Sequence, residues 1–167
     1  MTISLIAAHD LNGVIGYNND MPWGMAIKSD LKWFKQHTLN QTVVMGNNTF
    51  KSLNNQPLPN RKCIIITSNE YLYTLNKPYL NLVFSDIGIV EKLNDNNENI
   101  WIIGGQSLYE RYISCASYLY ITKIHHKFDG DTFFPKYDMN DYDTVYSEDV
   151  YDIYALTFMI LKRKNLE

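Results

Sequence analysis

The stretch Trp101-Ile-Ile-Gly104-Gly105-Gln-Ser-Leu-Tyr109-Glu110 decides the fold class. Its first half is apolar without alternation, as in a strand buried on both faces, and its second half has helical spacing. The two halves meet at adjacent glycines, where the backbone can turn sharply and a ligand can approach it closely. The same pattern occurs upstream at Val43-Val-Met-Gly46-Asn-Asn-Thr49-Phe50. Repeated strand–glycine–helix units build a parallel sheet and aim the free N–H groups of helix starts at an anion. Either glycine element alone is more often a plain helix-start turn. Neither is GxGxxG and no GxxxxGK occurs, so a Rossmann fingerprint and a P-loop are both absent.

Working outward, apolar runs at residues 3–8, 42–45, 63–66, 82–84, 100–103 and 118–124 read as strands. Helical patterns fall between them at 27–39, 49–53, 86–93 and 106–113. That alternation implies right-handed crossovers. Residues 142–147 and 154–162 read as two long strands with a short connection. The expected fold is α/β: a central eight-stranded, mostly parallel sheet with flanking helices and a C-terminal antiparallel edge hairpin, in one domain over residues 1–167. Asn clusters at 54–55 and 94–99 read as surface turns.

The 167 residues are 46% apolar and 20% charged, with net charge −3. That balance is ordinary for a globular protein and offers no electrostatic attraction for nucleic acid or an anionic membrane. Four His and two separated Cys, with no CxxC or HxxxH, argue against a disulfide framework and a structural zinc site; no metal is expected. Residues 2–8 are too short an apolar run for a signal peptide or a span, so the cytoplasm is expected. His125 and His126 read as strand neighbours facing opposite ways, and Cys63 and Cys115 as buried or nearly buried small residues. The acidic stretch 138–152 lacks calcium-loop spacing and reads as edge decoration.

Asp30 breaks the pattern around it. The helix at 27–39 has an apolar stripe of Ile27, Leu31 and Phe34, and Asp30 lies within about 40° of Phe34 on the wheel. A carboxylate in such a place is tied to a backbone amide in the first turn, or lines a cleft where apolar walls raise its pKa and let it handle a proton near neutral pH. Spacing alone leaves both open.

In order along the chain stand Ile3-Ser-Leu-Ile-Ala-Ala8, Gly13-Val-Ile-Gly16, Met21-Pro-Trp23, Asp30-Leu-Lys-Trp-Phe34, Val44-Met-Gly46, Pro57-Leu-Pro-Asn-Arg61, Ile102-Ile-Gly-Gly105, Leu119-Tyr-Ile-Thr122 and Gly130-Asp-Thr-Phe-Phe-Pro135. Together these resemble the dihydrofolate reductase family, from Ile3 to about Lys162. The resemblance implies reduction of 7,8-dihydrofolate to tetrahydrofolate with NADPH: hydride to pterin C6, proton to N5. It makes Asp30 the acidic pterin-site residue, Thr122 its hydroxyl support, Trp23 the holder of a water beside it, and Met21 part of the lid over the nicotinamide. Ile6, Ala8, Leu31, Phe34, Leu53 and Ile103 match walls of the substrate pocket. Arg61 matches the arginine for the glutamate α-carboxylate, a bidentate task that Lys performs less well. Ala8, Ile15, Gly16, Gly46, Asn47, Asn48, Thr49, Thr67, Ser68, Ile103, Gly104, Gly105, Gln106, Ser107, Leu108 and Tyr109 match cofactor positions, with the Gly104–Gly105 bond cis. Antifolates are implied ligands, and a monomer is expected.

Three departures stand out. Asn47, Asn48 and Ser107 occupy positions where the family often carries basic residues; residues 24–29 run about two residues longer than in many bacterial members; and the turn before Tyr154 is shorter. Two alternatives remain at this point: a same-fold pyrimidine reductase of riboflavin synthesis, and a folate- or nucleotide-binding scaffold without turnover. The first has no need of Asp30, Thr122 and Arg61 together.

Overall fold

The computed structural model describes residues 2–74 and 79–164; the expected domain span of 1–167 extends outside them. In chain order the elements are β1 (Ile3–His9), β2 (Val14–Gly16), α1 (Lys28–Thr38), β3 (Thr42–Gly46), α2 (Asn47–Ser52), β4 (Lys62–Ile66), α3 (Tyr71–Thr74), β5 (Leu82–Ser85), α4 (Ile89–Asp95), β6 (Ile100–Ile102), α5 (Gln106–Tyr112), β7 (Tyr118–Ile124), β8 (Thr132–Phe133), β9 (Tyr142–Tyr151) and β10 (Ala155–Arg163), with a 3₁₀ turn at Met139–Asp141.

Eight strands form one sheet in the order β5-β4-β3-β6-β1-β7-β10-β9. The pairings from β5 through β7 are parallel, and only β10 against β7 and β9 is antiparallel. This is the expected sheet with its edge hairpin. Its strands alternate between two buried faces, which explains their continuous apolar runs. Leu5, Val44, Ile64, Ile102 and Leu119 pack with Val90, Leu93, Leu108 and Tyr112 from α4 and α5. Val43, Met45, Cys63 and Ile65 pack on the other face with Phe50 of α2. A third cluster joins Trp23 and Ile27 to Ile124, Leu156 and Phe158 under α1. Truncating one of these side chains to Ala costs about 2–5 kcal/mol.

Several expectations need correction. The first hairpin strand runs to Tyr151, because β10 offers partners along its whole length. The two-stranded β2–β8 ribbon went unforeseen, since two- and three-residue strands carry no periodicity. It depends on Gly16, where a Cβ would stand 2.2 Å from Thr132 Oγ1. His125 and His126 lie in a bend past the end of β7, one bonded to Thr157 Oγ1 and the other packed on Phe128 and Tyr154. Cys115 is exposed, whereas Cys63 is buried. Asn18, Asn19, Asn40, Asn54, Asn55, Asn60 and Asn97 have positive φ, so the abundant Asn does serve turns.

Candidate active site

The parallel strands end together, and the family-matched residues gather at those ends. β1 delivers Ala8, whose register partner on β7 is Thr122. β3 delivers Gly46 into α2, β4 leads to Thr67 and Ser68, and β6 leads through Ile103 to Gly104, Gly105 and α5. α1 lays Asp30 against the β7 end of this row. Ligands of open α/β sheets bind along such a row.

Asp30 is 9% exposed. Burial pushes its carboxyl up to about 6, while a hydrogen bond with Thr122 pulls in the opposite direction. Thr122 is itself buried. The ion pairs found among the described residues, Lys62–Glu98 and Arg111–Glu91, lie elsewhere. Asp30 is therefore a desolvated acid with a hydroxyl partner and no cation. Tyr109 is buried, with its hydroxyl donating to Ile6 O at 2.7 Å. Burial, with the charge of Asp30 adding to it, raises that hydroxyl's pKa far above its usual value, so Tyr109 acts as a neutral donor. Trp23 is buried, and its Nε1 finds no acceptor among the described residues.

Arg61 is buried at the other end of the α1 flank. Its Nε donates to Pro59 O at 3.0 Å and Nη1 to Thr38 Oγ1 at 3.1 Å, and its guanidinium lies 5.9 Å from the Phe34 ring centre. Burial lowers its pKa. Asp30 and Arg61 thus bracket α1, with the half-buried Leu31 and Phe34 between them. Leu53 and Ile103 are likewise only partly buried, at the margin of the second core cluster.

The glycine side is a backbone surface. The Gly104–Gly105 bond is cis, and the Gly46 amide donates to Gly104 O at 2.9 Å. Gly104 has φ +136°, and a Cβ there would meet Thr49 Oγ1 at 3.1 Å, so a side chain is strained as well as crowded. Neither Gly46 nor Gly105, the residues before α2 and α5, caps its helix with a side chain. Asn47 and Thr49 are half-buried there, and Asn48, Ser68 and Ser107 are exposed. Leu108 is buried beneath them; Gln106 accepts from Phe133 N. Ile15 and Gly16 belong to β2, which with β8 forms the root of the 17–24 segment carrying Met21. Asp131 holds that segment through Asn18 N at 3.0 Å.

Sequence reasoning passed over three supports. Thr38 is fully buried and holds Arg61; Asp10, also buried, accepts from Asn12 N, Val14 N and Phe128 N; and Asp131 accepts from Asn18 N in the 17–24 segment. The Asp10-Leu-Asn-Gly13 turn chemistry was a usable signal for the second. Among the described residues no cluster of His, Cys, Asp and Glu is placed to hold a metal ion.

Residues 2–163 match the dihydrofolate reductase family. The chain belongs to that family. It is 38% identical over 147 residues to dihydrofolate reductase of Staphylococcus aureus strain Mu50, covering 88% of this chain and 86% of the relative. It is 36% identical over 173 residues to that of Bacillus subtilis strain 168, covering 98% and 95%. A solved dihydrofolate reductase from Enterococcus faecalis, complexed with NADP(H) and RAB-propyl, superimposes with a TM-score of 0.84 at 32% identity, covering 98% of this chain and 97% of that one.

Proposed function

We propose that this chain reduces 7,8-dihydrofolate to 5,6,7,8-tetrahydrofolate with NADPH, and that Asp30 is the group around which the reaction is built. The observation that carries this reading is a buried carboxyl, hydrogen-bonded to the buried Thr122 and without an ion-pair partner among the described residues, with burial pushing its pKa up to about 6. Such a group can hold the 2-amino and N3 edge of a pterin through paired hydrogen bonds and favour the protonated form of the ring at N5. Trp23, whose buried Nε1 has no acceptor among the described residues, would hold the water that the family's tryptophan positions beside that carboxyl. Arg61 binds the glutamate α-carboxylate at the outer end of the same helix, its charge already desolvated and preoriented by Thr38.

The glycine cradle fits the cofactor, because the Gly46–Gly104 contact leaves backbone, not side chain, against a ligand. Ala8, Ile15, Gly16, Asn47, Asn48, Thr49, Thr67, Ser68 and residues 103–109 would hold it, and when bound NADPH supplies the hydride for C6. The protein's share is alignment of the pterin, exclusion of water under the segment carrying Met21, and control of the proton. No helix among the described residues is long and apolar enough to cross a membrane; a cytoplasmic monomer accords with this reading.

The pyrimidine-reductase alternative gives no use for a desolvated Arg61 beside Phe34. A spectrophotometric assay at 340 nm with dihydrofolate and NADPH separates the readings. Oxidation of NADPH that requires dihydrofolate supports this one; binding of both without oxidation favours the scaffold.

A further inference from the structure

The helix that carries Asp30 starts without a cap of its own. Ile27 occupies the N-cap position, where it offers no side-chain oxygen. The acceptor comes from 123 residues away. Asp152, in the turn between β9 and β10, takes Ser29 N at 3.0 Å and Ser29 Oγ at 2.7 Å on one carboxylate oxygen. The other oxygen accepts Ile153 N at 2.8 Å, and the Asp152 amide donates to Tyr154 O, so the carboxylate is held in a closed turn. The Ser29 bonds lower its pKa, keeping it charged against the positive end of the helix. An apolar grip runs beside the polar one, for Val150 and Tyr154 pack on the cluster of Trp23, Ile27, Leu156 and Phe158.

We infer that Asp152 is a positioning residue for Asp30: from the tip of the C-terminal hairpin it fixes the first turn of α1 and so the place where the Asp30 carboxyl meets the pterin. Ser29 and Asp30 are adjacent, so displacement of one passes to the other through a single peptide unit. The short turn between β9 and β10 holds the carboxylate in place for this task through Ile153 N and Tyr154 O. The inference rests on the reading of Asp30 as the pterin-holding group.

The test is single-turnover hydride transfer with NADPH and dihydrofolate in Asp152→Ala, Asp152→Asn, Ser29→Ala and the double variant Ser29→Ala/Asp152→Ala, with Asp30→Asn as control. Asp152→Ala is expected to slow hydride transfer about tenfold through misplacement of the reacting groups, with NADPH affinity unchanged. Asp152→Asn, whose amide oxygen still accepts both Ser29 bonds, recovers most of the rate. The double variant is no slower than Asp152→Ala. A purely structural role would lower the melting temperature in all variants without this rescue or this separation from NADPH binding. Wild-type hydride transfer in Asp152→Ala, with Asp30→Asn slow, overturns the inference. Normal rates in Asp30→Asn overturn the reading of Asp30 instead. Should Asp152→Ala fail to fold, Ser29→Ala decides: about threefold slower transfer with unchanged NADPH affinity supports the inference, and an unchanged rate contradicts it.

Discussion

The two ends of the cleft are built from opposite materials. At the α1 end stand two buried side-chain charges, Asp30 and Arg61, which the proposed function makes the substrate-binding groups, each without an ion-pair partner among the described residues. At the glycine end it relies on backbone: Gly46, Gly104 and Gly105, with neutral Asn47, Thr49, Ser68 and Ser107 around them. Desolvated charges concentrate energy in a few atoms, so single substitutions there are severe. Backbone donors spread it over many bonds, and a change of one neutral side chain is mild.

The largest effect should come from diaminopyrimidine and diaminopteridine antifolates. Their protonated rings would pair with the Asp30 carboxylate, and Asp30→Asn removes one partner of a desolvated ion pair. Affinity by titration calorimetry should fall by about 3–5 kcal/mol. Equal affinity in both proteins would move the inhibitor away from α1. Next in size, Arg61→Ala should raise the KM for dihydrofolate about 10- to 100-fold with kcat nearly unchanged, because in the proposed role Arg61 would bind ground and transition states alike. A comparable loss in kcat would place Arg61 in the chemistry.

The third effect is on stability, with the opposite sign. A carboxyl that goes from 3.8 unfolded to about 6 folded binds a proton more tightly in the native state, which costs the fold about 3 kcal/mol at neutral pH. That cost is absent below about pH 4 and grows as pH rises from 4 to 6. Asp30→Asn should therefore be more stable than wild type in urea at pH 7, by up to that amount, with the difference closing at pH 4. A less stable variant at pH 7 would mean that the carboxylate is better compensated than its surroundings indicate. Smallest, Asn47→Arg should increase the NADPH/NADH ratio of kcat/KM about three- to fivefold, by adding a partly screened cation near the 2′-phosphate. An unchanged ratio would show that residue 47 does not face that phosphate.

The contrast between the ends also separates what the sequence discloses from what it hides. Gly46, Gly104 and Gly105 were legible because their role is local: a strand must stop and a helix start within a few residues. Asp30 was legible because it violates a local periodicity. Arg61 was not, apart from the family resemblance, and looked like a solvated charge before a strand; it is buried because Thr38, 23 residues earlier, reaches it. Trp33 and His37 share that limit. They stack on Tyr120, Phe158 and Trp101 across the sheet, contacts that no pattern within α1 reveals. Asp152 lay in a stretch read as edge decoration, although it meets Ser29 across most of the chain. Contacts of this kind depend on which strands become neighbours, and only the folded sheet supplies that.

The most direct measurement is the pH profile of single-turnover hydride transfer in the wild type and in Asp30→Asn, with NADPH saturating. The Asp30 carboxylate favours the N5-protonated pterin, and that protonated substrate becomes scarce as pH rises, so the wild-type rate should fall with rising pH. The variant should be slower by about 100-fold or more at neutral pH, with its NADPH affinity intact. A variant that transfers hydride at the wild-type rate at pH 7 to 8 would remove the buried carboxyl from the reaction.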